Sequence, residues 1–240
     1  MNFNLTDDQK AFVEVAKQFA EQELAPHAAQ WDRDHHFPKD VIQKAGELGF
    51  CSLYTPEDQG GLGLSRLDSS IIFEQLSMGC TATTAMLTIH NMATWMIASW
   101  GTEDAKAQWC PELVTGEKLA SYCLTEPGSG SDAASLRTSE KKDGDHYVIN
   151  GSKNFITHAI TGNVAVVIVR TGEKGDSHGM SAFIIEKGTP GFKSGKKENK
   201  LGMRASETAE LIFDNCRIHK DQMMGEEGQG FIQAMKVLDG

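Results

Sequence analysis

Along the first 115 or so residues, apolar positions recur at helical spacing. Phe12, Ala16, Phe19 and Ala20 share one face, and Thr6 with Gln9 forms a T-x-x-Q capping box ahead of them. Pro26 marks a break or kink after that helix. A second helix is predicted from near Pro38, a residue favoured in a first helical turn, to Leu48, with Gly49 as its stop. The segment "TPEDQGGLGLS" is turn chemistry. Ser65 and Asp68 then open a third helix, predicted to close at Gly79. From Thr83 to Trp100 the chain is apolar on most faces, which predicts a helix at the centre of a bundle. Gly101 ends it, and Thr102 caps a short amphipathic helix ended by Pro111.

Near Leu119 the period changes. "LASYCLT" is short, apolar and β-prone, and "LRTSEKKDGDHYVING" reads as two strands around an Asp143-Gly144 turn. "VAVVIVR", "MSAFIIEK" and "ETAELIFDNCRI" are further strands, separated by Gly/Pro turns such as "EKGTPGF". Short strands in series without intervening helices predict an antiparallel barrel or sandwich, not a Rossmann sheet. After "GEEGQG" a helical pattern resumes with Phe231, Ala234, Met235 and Leu238. The expected fold class is therefore multi-domain α and β. An all-α domain covers 1–118, an antiparallel β domain 119–225, and the start of a second helical domain 226–240. A helix that has just begun has an apolar face in need of partners, so the chain is expected to be the front part of a longer one.

Charge narrows the partners. Thirty-three Asp and Glu against 23 Lys and Arg give a net charge of −10, which argues against nucleic acid or an anionic membrane surface. An anionic small molecule held by a local site remains compatible. The five cysteines contain no CxxC pair, which points to a reduced compartment. The eight histidines show no HExxH or HxxxH spacing, so no metal site is expected. "MNFNLTDDQKAF" lacks a basic region followed by an apolar run, so no signal peptide is read. The most apolar stretch holds His90 and Asn91 near its middle, which favours a buried helix over a membrane span. The expected location is the cytoplasm, or the mitochondrial matrix for a trimmed eukaryotic form.

"SYCLTEPGSGSD", Ser121 to Asp132, begins like a buried strand and ends like a linker. Gly128, Gly130 and Ala133 match G-x-G-x-x-G/A, but that fingerprint needs a following helix, and here a hairpin follows. Pro127 stiffens the segment, which a slack linker does not need. Thr125, Ser129 and Ser131 surround glycines whose missing Cβ lets backbone N–H groups approach a ligand, and such amides form a nest for phosphate. Elsewhere the bland readings prevail. Met86, Met92, Trp95, Met96 and Trp100 are expected in the core, His90 as a satisfied core histidine, and "GKKENK" as a solvated turn.

"YCLTEPGSGSD" followed by "NGSKNFIT" resembles the paired flavin motifs of the acyl-CoA dehydrogenase family, and "LGMRASET" and "GEEGQGF" follow in the same order. The resemblance spans nearly the whole chain. "SRLDSSIIFEQL", "IHNMATWMIASWG" and "EKGTPGF" resemble the branch acting on isobutyryl-CoA, an intermediate of valine breakdown. It implies FAD as cofactor, lying along Tyr122, Cys123, Leu124, Thr125, Glu126, Pro127, Gly128, Ser129, Gly130 and Ser131. Thr125 would stand near the pyrimidine end of the flavin, and Ser131 near the pyrophosphate and the acyl-CoA. Phe155, Ile156 and Thr157 would form the second flavin contact, with Thr157 bonded to the reactive end of the ring. Many relatives carry Trp where Phe155 stands, so an indole N–H donor is lost there. Leu238, Asp239 and Gly240 would begin the acyl-CoA contacts of the last helix.

The implied reaction removes the α-proton of an acyl-CoA while the β-hydrogen leaves as hydride to the flavin. Its base is a buried glutamate expected beyond Gly240, so no catalytic residue is assigned within this chain, which alone is not expected to dehydrogenate. Glu126, the carboxylate nearest the loop, is read as loop architecture. The resemblance also implies electron-transferring flavoprotein as acceptor and a homotetramer when complete. Two alternatives stay open: an acyl-CoA oxidase-type flavoenzyme, and a non-catalytic acyl-CoA-binding, flavin-binding or interaction protein on the same fold.

Overall fold

The computed structural model describes residues 4–173, 175–176 and 178–239. Helix α1 (Asp7–Phe19) starts on the expected capping box. Thr6 Oγ1 accepts the Gln9 N–H at 3.2 Å, and the Gln9 side chain accepts the Thr6 N–H at 3.0 Å. The chain does not break at Pro26. It passes through one π turn, Ala20–Leu24, into α2 (Ala25–Asp34), whose first turn holds the proline. The wider turn accommodates a ring without an N–H. Helix α3 (Lys39–Glu47) stops ahead of Gly49, whose φ is 79°.

One predicted helix end meets a kink and another is corrected. The predicted close at Gly79 falls on a kink within α4 (Arg66–Trp100): Cys80 is non-helical there, with φ −157° and ψ 103°, so two helical stretches meet directly after the glycine. The glycine also serves packing. A Cβ there would lie 2.7 Å from the Ala20 carbonyl oxygen and 2.9 Å from Leu24 Cβ, so α4 rests directly on the π turn. Pro111 lies inside α5 (Glu103–Val114). The further turn buries Leu113 completely and offers its carbonyl to His90, which outweighs the single backbone bond that proline removes.

The strands are β1 (Ala120–Cys123), β2 (Ser139–Asp143), β3 (His146–Thr157), β4 (Val164–Arg170), β5 (Met180–Glu186), β6 (Phe192–Lys197), β7 (Thr208–His219) and β8 (Met223–Met224). They form one sheet in the order β6-β7-β3-β2-β4-β5-β8, with β1 paired to β4. The barrel expectation is corrected on two points: the sheet is not closed, and it is mixed. β1 runs parallel to β4, and β2 meets β4 in parallel at Ser139 and Arg170. A parallel pair needs a long crossover, and here the glycine loop and the β2–β3 hairpin supply it. The sheet folds over on itself, so that Tyr147 of β3 and Phe183 of β5 meet with ring centroids 5.0 Å apart. Cys123, Val167, Leu211 and Phe213 fill the core between its halves. The outer face of β4 and β5 packs with Met96, Ile97, Leu113 and Ala234 from the helices. Strand β4 is buried on both sides, which explains its unbroken apolar run.

Two further readings change. Lys196 and Lys197 of the "GKKENK" run end an edge strand, where lysines discourage pairing with another chain. Helix α6 (Gly230–Asp239) buries Gly230, Gln233, Ala234 and Val237, a face rotated from the predicted one: Ala234 is shared, Phe231 and Met235 pack partly buried against the same core, and Leu238 is 52 % exposed. A bond from Gln233 Nε2 to the Met224 carbonyl (2.9 Å) sets that rotation. The backbone of Gly230 also lies so close to Ser181 that a Cβ would come within 2.7 Å of it. No helix among the described residues is long and apolar enough to cross a membrane.

Candidate functional site

The two motif strings meet side by side. The Asn154 N–H donates to the Thr125 carbonyl at 2.8 Å, and Ser121 Oγ donates to the His158 carbonyl at 3.0 Å. Between them Lys153 Nζ donates to the Leu124 carbonyl (3.0 Å) and to Glu126 Oε1 (2.7 Å). Glu126 also accepts the N–H groups of Arg137 (2.6 Å) and Thr138 (2.9 Å). Burial by itself raises the Glu126 pKa, but the Lys153 ammonium and these hydrogen bonds outweigh it and hold the carboxylate below its usual range. Its oxygens are committed to the loop, so Glu126 is unsuited to act as a base.

The glycine loop is a built turn. Glu126 and Ser129 exchange backbone bonds at 2.9 and 3.1 Å across Pro127 and Gly128, and Ser129 Oγ donates to the Asp132 carbonyl at 2.8 Å. Gly128 and Gly130 have no positive φ, and a Cβ at either would meet no atom within 4 Å. Neither backbone strain nor packing within the chain therefore demands glycine there. The amides of Gly128, Gly130 and Ser131 and the hydroxyls of Thr125, Ser131 and Thr157 have no hydrogen-bond partner among the described residues. The Tyr122 hydroxyl is buried and likewise unpartnered, and burial drives its pKa far above the ordinary phenol value. Open donors beside side-chain-free positions make a cradle for an anionic, flat ligand.

The second string contributes an irregular edge. The register between β3 and β7 slips between Lys153 and Ile156. Phe155 has φ 59° and stands 63 % exposed, and His158 follows at φ 61°. A non-glycine aromatic held in the left-handed region and turned to solvent is strain that packing within the chain does not repay. Cys123 and Ile156 point into the core between the sheet halves, so only their backbones are available to a ligand.

Leu238 and Asp239 are not brought to this loop. With Val237 they line a pocket of about 330 Å³ against Tyr54, Arg66, Ser69, Ser70, Phe73, Thr88 and Met92. The Arg66 guanidinium lies 3.6 Å above the Tyr54 ring and 4.8 Å from the Trp95 ring. The sequence reading missed Tyr54, Arg66, Phe73 and Thr88, and took Met92 for core. Their one signal was the i, i+4 spacing of Thr88 and Met92 on an otherwise buried helix. Gly240, the third residue of that group, lies outside the described residues.

Two buried histidines weld the sheet to α4. His90 Nε2–H donates to the Leu113 carbonyl at 2.8 Å while its Nδ1 accepts the Ala120 N–H at 3.1 Å. His158 Nε2–H donates to the Met86 carbonyl at 2.9 Å. Burial, and for His90 also His158, lowers their pKa values to about 3 and about 4. The Cys51 thiol, buried against the Ile42 carbonyl, is pushed up to about 12 by desolvation and is inert.

Comparison with known proteins bears on the family and the fold. Residues 6–117 match the model of the acyl-CoA dehydrogenase N-terminal domain, and residues 121–216 that of the middle domain. The mitochondrial isobutyryl-CoA dehydrogenase of Bos taurus is 51% identical over 239 residues, covering 100% of this chain and 57% of the relative. The chain thus spans little more than half the length of that curated relative. The structure of butyryl-CoA dehydrogenase from Megasphaera elsdenii superposes with a TM-score of 0.91 at 37% identity, over 100% of this chain and 64% of its own. The FAD complex of PigA gives a TM-score of 0.94 at 29% identity, over 99% of this chain and 63% of its own.

Proposed function

The chain belongs to the acyl-CoA dehydrogenase family, and on that premise we propose that it carries the flavin site and part of the thioester site of an FAD-dependent dehydrogenase. The substrate class is a short or branched acyl-CoA of the isobutyryl type, oxidised to the 2-enoyl-CoA. The observation that carries this reading is the juxtaposition of the two motif strings, with Asn154 N–H on the Thr125 carbonyl and Lys153 on Leu124 and Glu126.

The residues present fit FAD. The free amides of Gly128, Gly130 and Ser131 suit a pyrophosphate, and the missing Cβ atoms leave it room. The hydroxyls of Thr125, Thr157 and Tyr122 offer unspent donors along a ring system, and the exposed face of Phe155 gives it an aromatic wall. When bound, FAD supplies the two-electron acceptor that no side chain provides. The protein's part is to fix that acceptor and the thioester in register.

The pocket between α4 and α6 suits a small apolar acyl group, with Phe73, Met92 and Leu238 around it and Asp239 at its edge. Within this chain no residue is assigned as the base that takes the α-proton. A glutamate following residue 240 is proposed for that step, with 1–118, 119–225 and 226–240 as the domain division. Electron-transferring flavoprotein as acceptor, a homotetramer, a role in valine breakdown, and a cytoplasmic or mitochondrial matrix location are proposed for the complete protein.

The test is an anaerobic titration of the FAD-loaded full-length protein with isobutyryl-CoA. Loss of visible flavin absorbance with formation of the 2-enoyl-CoA is the expected outcome. An unchanged spectrum overturns the reading, and rapid reoxidation by dioxygen in place of the flavoprotein acceptor would move it to the oxidase alternative.

A further inference from the structure

The glycine loop is held from below by a second buried cation, Arg170, at the end of β4. Its side chain is buried, and no carboxylate stands within ion-pair distance of it among the described residues. Its partners are backbone carbonyls. Nη1 donates to those of Glu173 (3.1 Å), Asp176 (2.5 Å) and Gly179 (3.4 Å), and Nη2 to those of Ala134 (2.5 Å) and Leu136 (3.4 Å). Ala134 and Leu136 belong to the segment that leaves the loop. Lys153 grips the other end through Leu124 and Glu126. The loop is therefore pinned at both ends by buried cations.

The charges do not cancel. The two cations are close enough that Arg170 disfavours the Lys153 ammonium. Among the described residues Glu126 is the one carboxylate that pairs with either of them, and it pairs with Lys153, which leaves one positive charge uncompensated beneath the loop. Carbonyl dipoles solvate a guanidinium without neutralising it, and arginine cannot escape by deprotonation. Asp132, the other side-chain anion on the loop, is exposed and screened by water. A buried charge without a counter-ion is costly to a fold, so it persists where something else supplies the anion.

We propose that Arg170 is a positioning residue for a pyrophosphate-bearing ligand, shaping the glycine loop through the carbonyls of Ala134 and Leu136 and leaving beneath it the positive charge that the ligand's anion answers. This rests on the FAD reading above and adds to it a residue outside both motif strings. A phosphate-free flavin gains the shape of the loop but nothing from the charge.

The experiment compares FAD and riboflavin as ligands of the full-length apo-protein, by quenching of flavin fluorescence, in wild type, R170M and R170K, with thermal midpoints recorded alongside. Wild type prefers FAD, and R170M loses that preference by about tenfold or more while its riboflavin affinity changes little. R170K keeps the charge and loses the planar fork, so its preference for FAD survives even if its midpoint falls. Equal loss of both flavins in R170M overturns the inference and makes Arg170 a purely structural tie. Should R170M fail to fold, R170K decides: a preference retained supports the inference and a preference lost overturns it. A wild-type protein that takes neither flavin removes the FAD reading itself.

Discussion

Lys153 Nζ stands 2.7 Å from Glu126 Oε1, with side-chain exposures of 0% and 5%. This buried ion pair is what turns "TEPGSGSD" from a linker into a loop of defined shape, because it ties the loop to the strand that carries the second motif. Pairs of this kind add little net stability but are costly to break, since the survivor is left charged and buried.

Lys153→Met and Glu126→Gln, made singly, are each expected to cost about 3–5 kcal/mol. The double variant should cost less than the two singles together, as removing both partners strands no charge. Urea denaturation of the four proteins measures the coupling, and strict additivity would rule the pair out as a unit.

Gly128→Ala and Gly130→Ala separate ligand binding from folding. No chain atom lies within 4 Å of either added Cβ, so stability should hold or rise by about 0.4–1 kcal/mol at each site. FAD affinity should fall. Gly151→Ala is the contrast, for there φ is 144° and the new Cβ would lie 2.5 Å from Thr138 Oγ1, so the fold itself should lose stability. Thermal midpoints and flavin titration read the two effects apart.

Phe155→Gly tests whether strain is stored for a ligand. Relief of the left-handed φ of 59° should raise stability by about 1 kcal/mol, while flavin binding weakens. A variant that is both less stable and unchanged in flavin affinity would assign Phe155 to packing instead.

The buried histidines predict a specific acid response. Unfolded, each takes a proton near 6.5, whereas in the fold this waits until about 3 for His90 and about 4 for His158. Between those limits the unfolded state binds more protons, so stability falls as the pH drops. The slope approaches about 1.4 kcal/mol per pH unit for each histidine. Chemical denaturation at pH 7, 6 and 5 should show it, and His90→Gln should remove about half. A flat profile would mean that neither ring is held neutral.

Much of the fold was legible in the chain because it rests on local chemistry. The Thr6–Gln9 capping box, the stop at Gly49, the Gly144 turn and the doubly buried run of β4 are each set by a few neighbouring residues. The predicted helix end at Pro111 failed for the opposite reason. What continues the helix there is the burial of Leu113 and the bond of its carbonyl to His90, a residue distant in sequence.

The candidate site divides the same way. The sequence by itself determined which backbone was proposed to face a ligand, since glycine, proline and hydroxyl residues stand within a few positions of one another. Only the tertiary structure decided what holds that backbone: Lys153 and Arg170 reach it from β3 and β4, and Tyr54 and Arg66 reach the pocket at Asp239 from another part of the helical region. Buried charges and pocket walls are relations between distant segments. No local pattern encodes them, because the free energy that selects them exists only once those segments have packed.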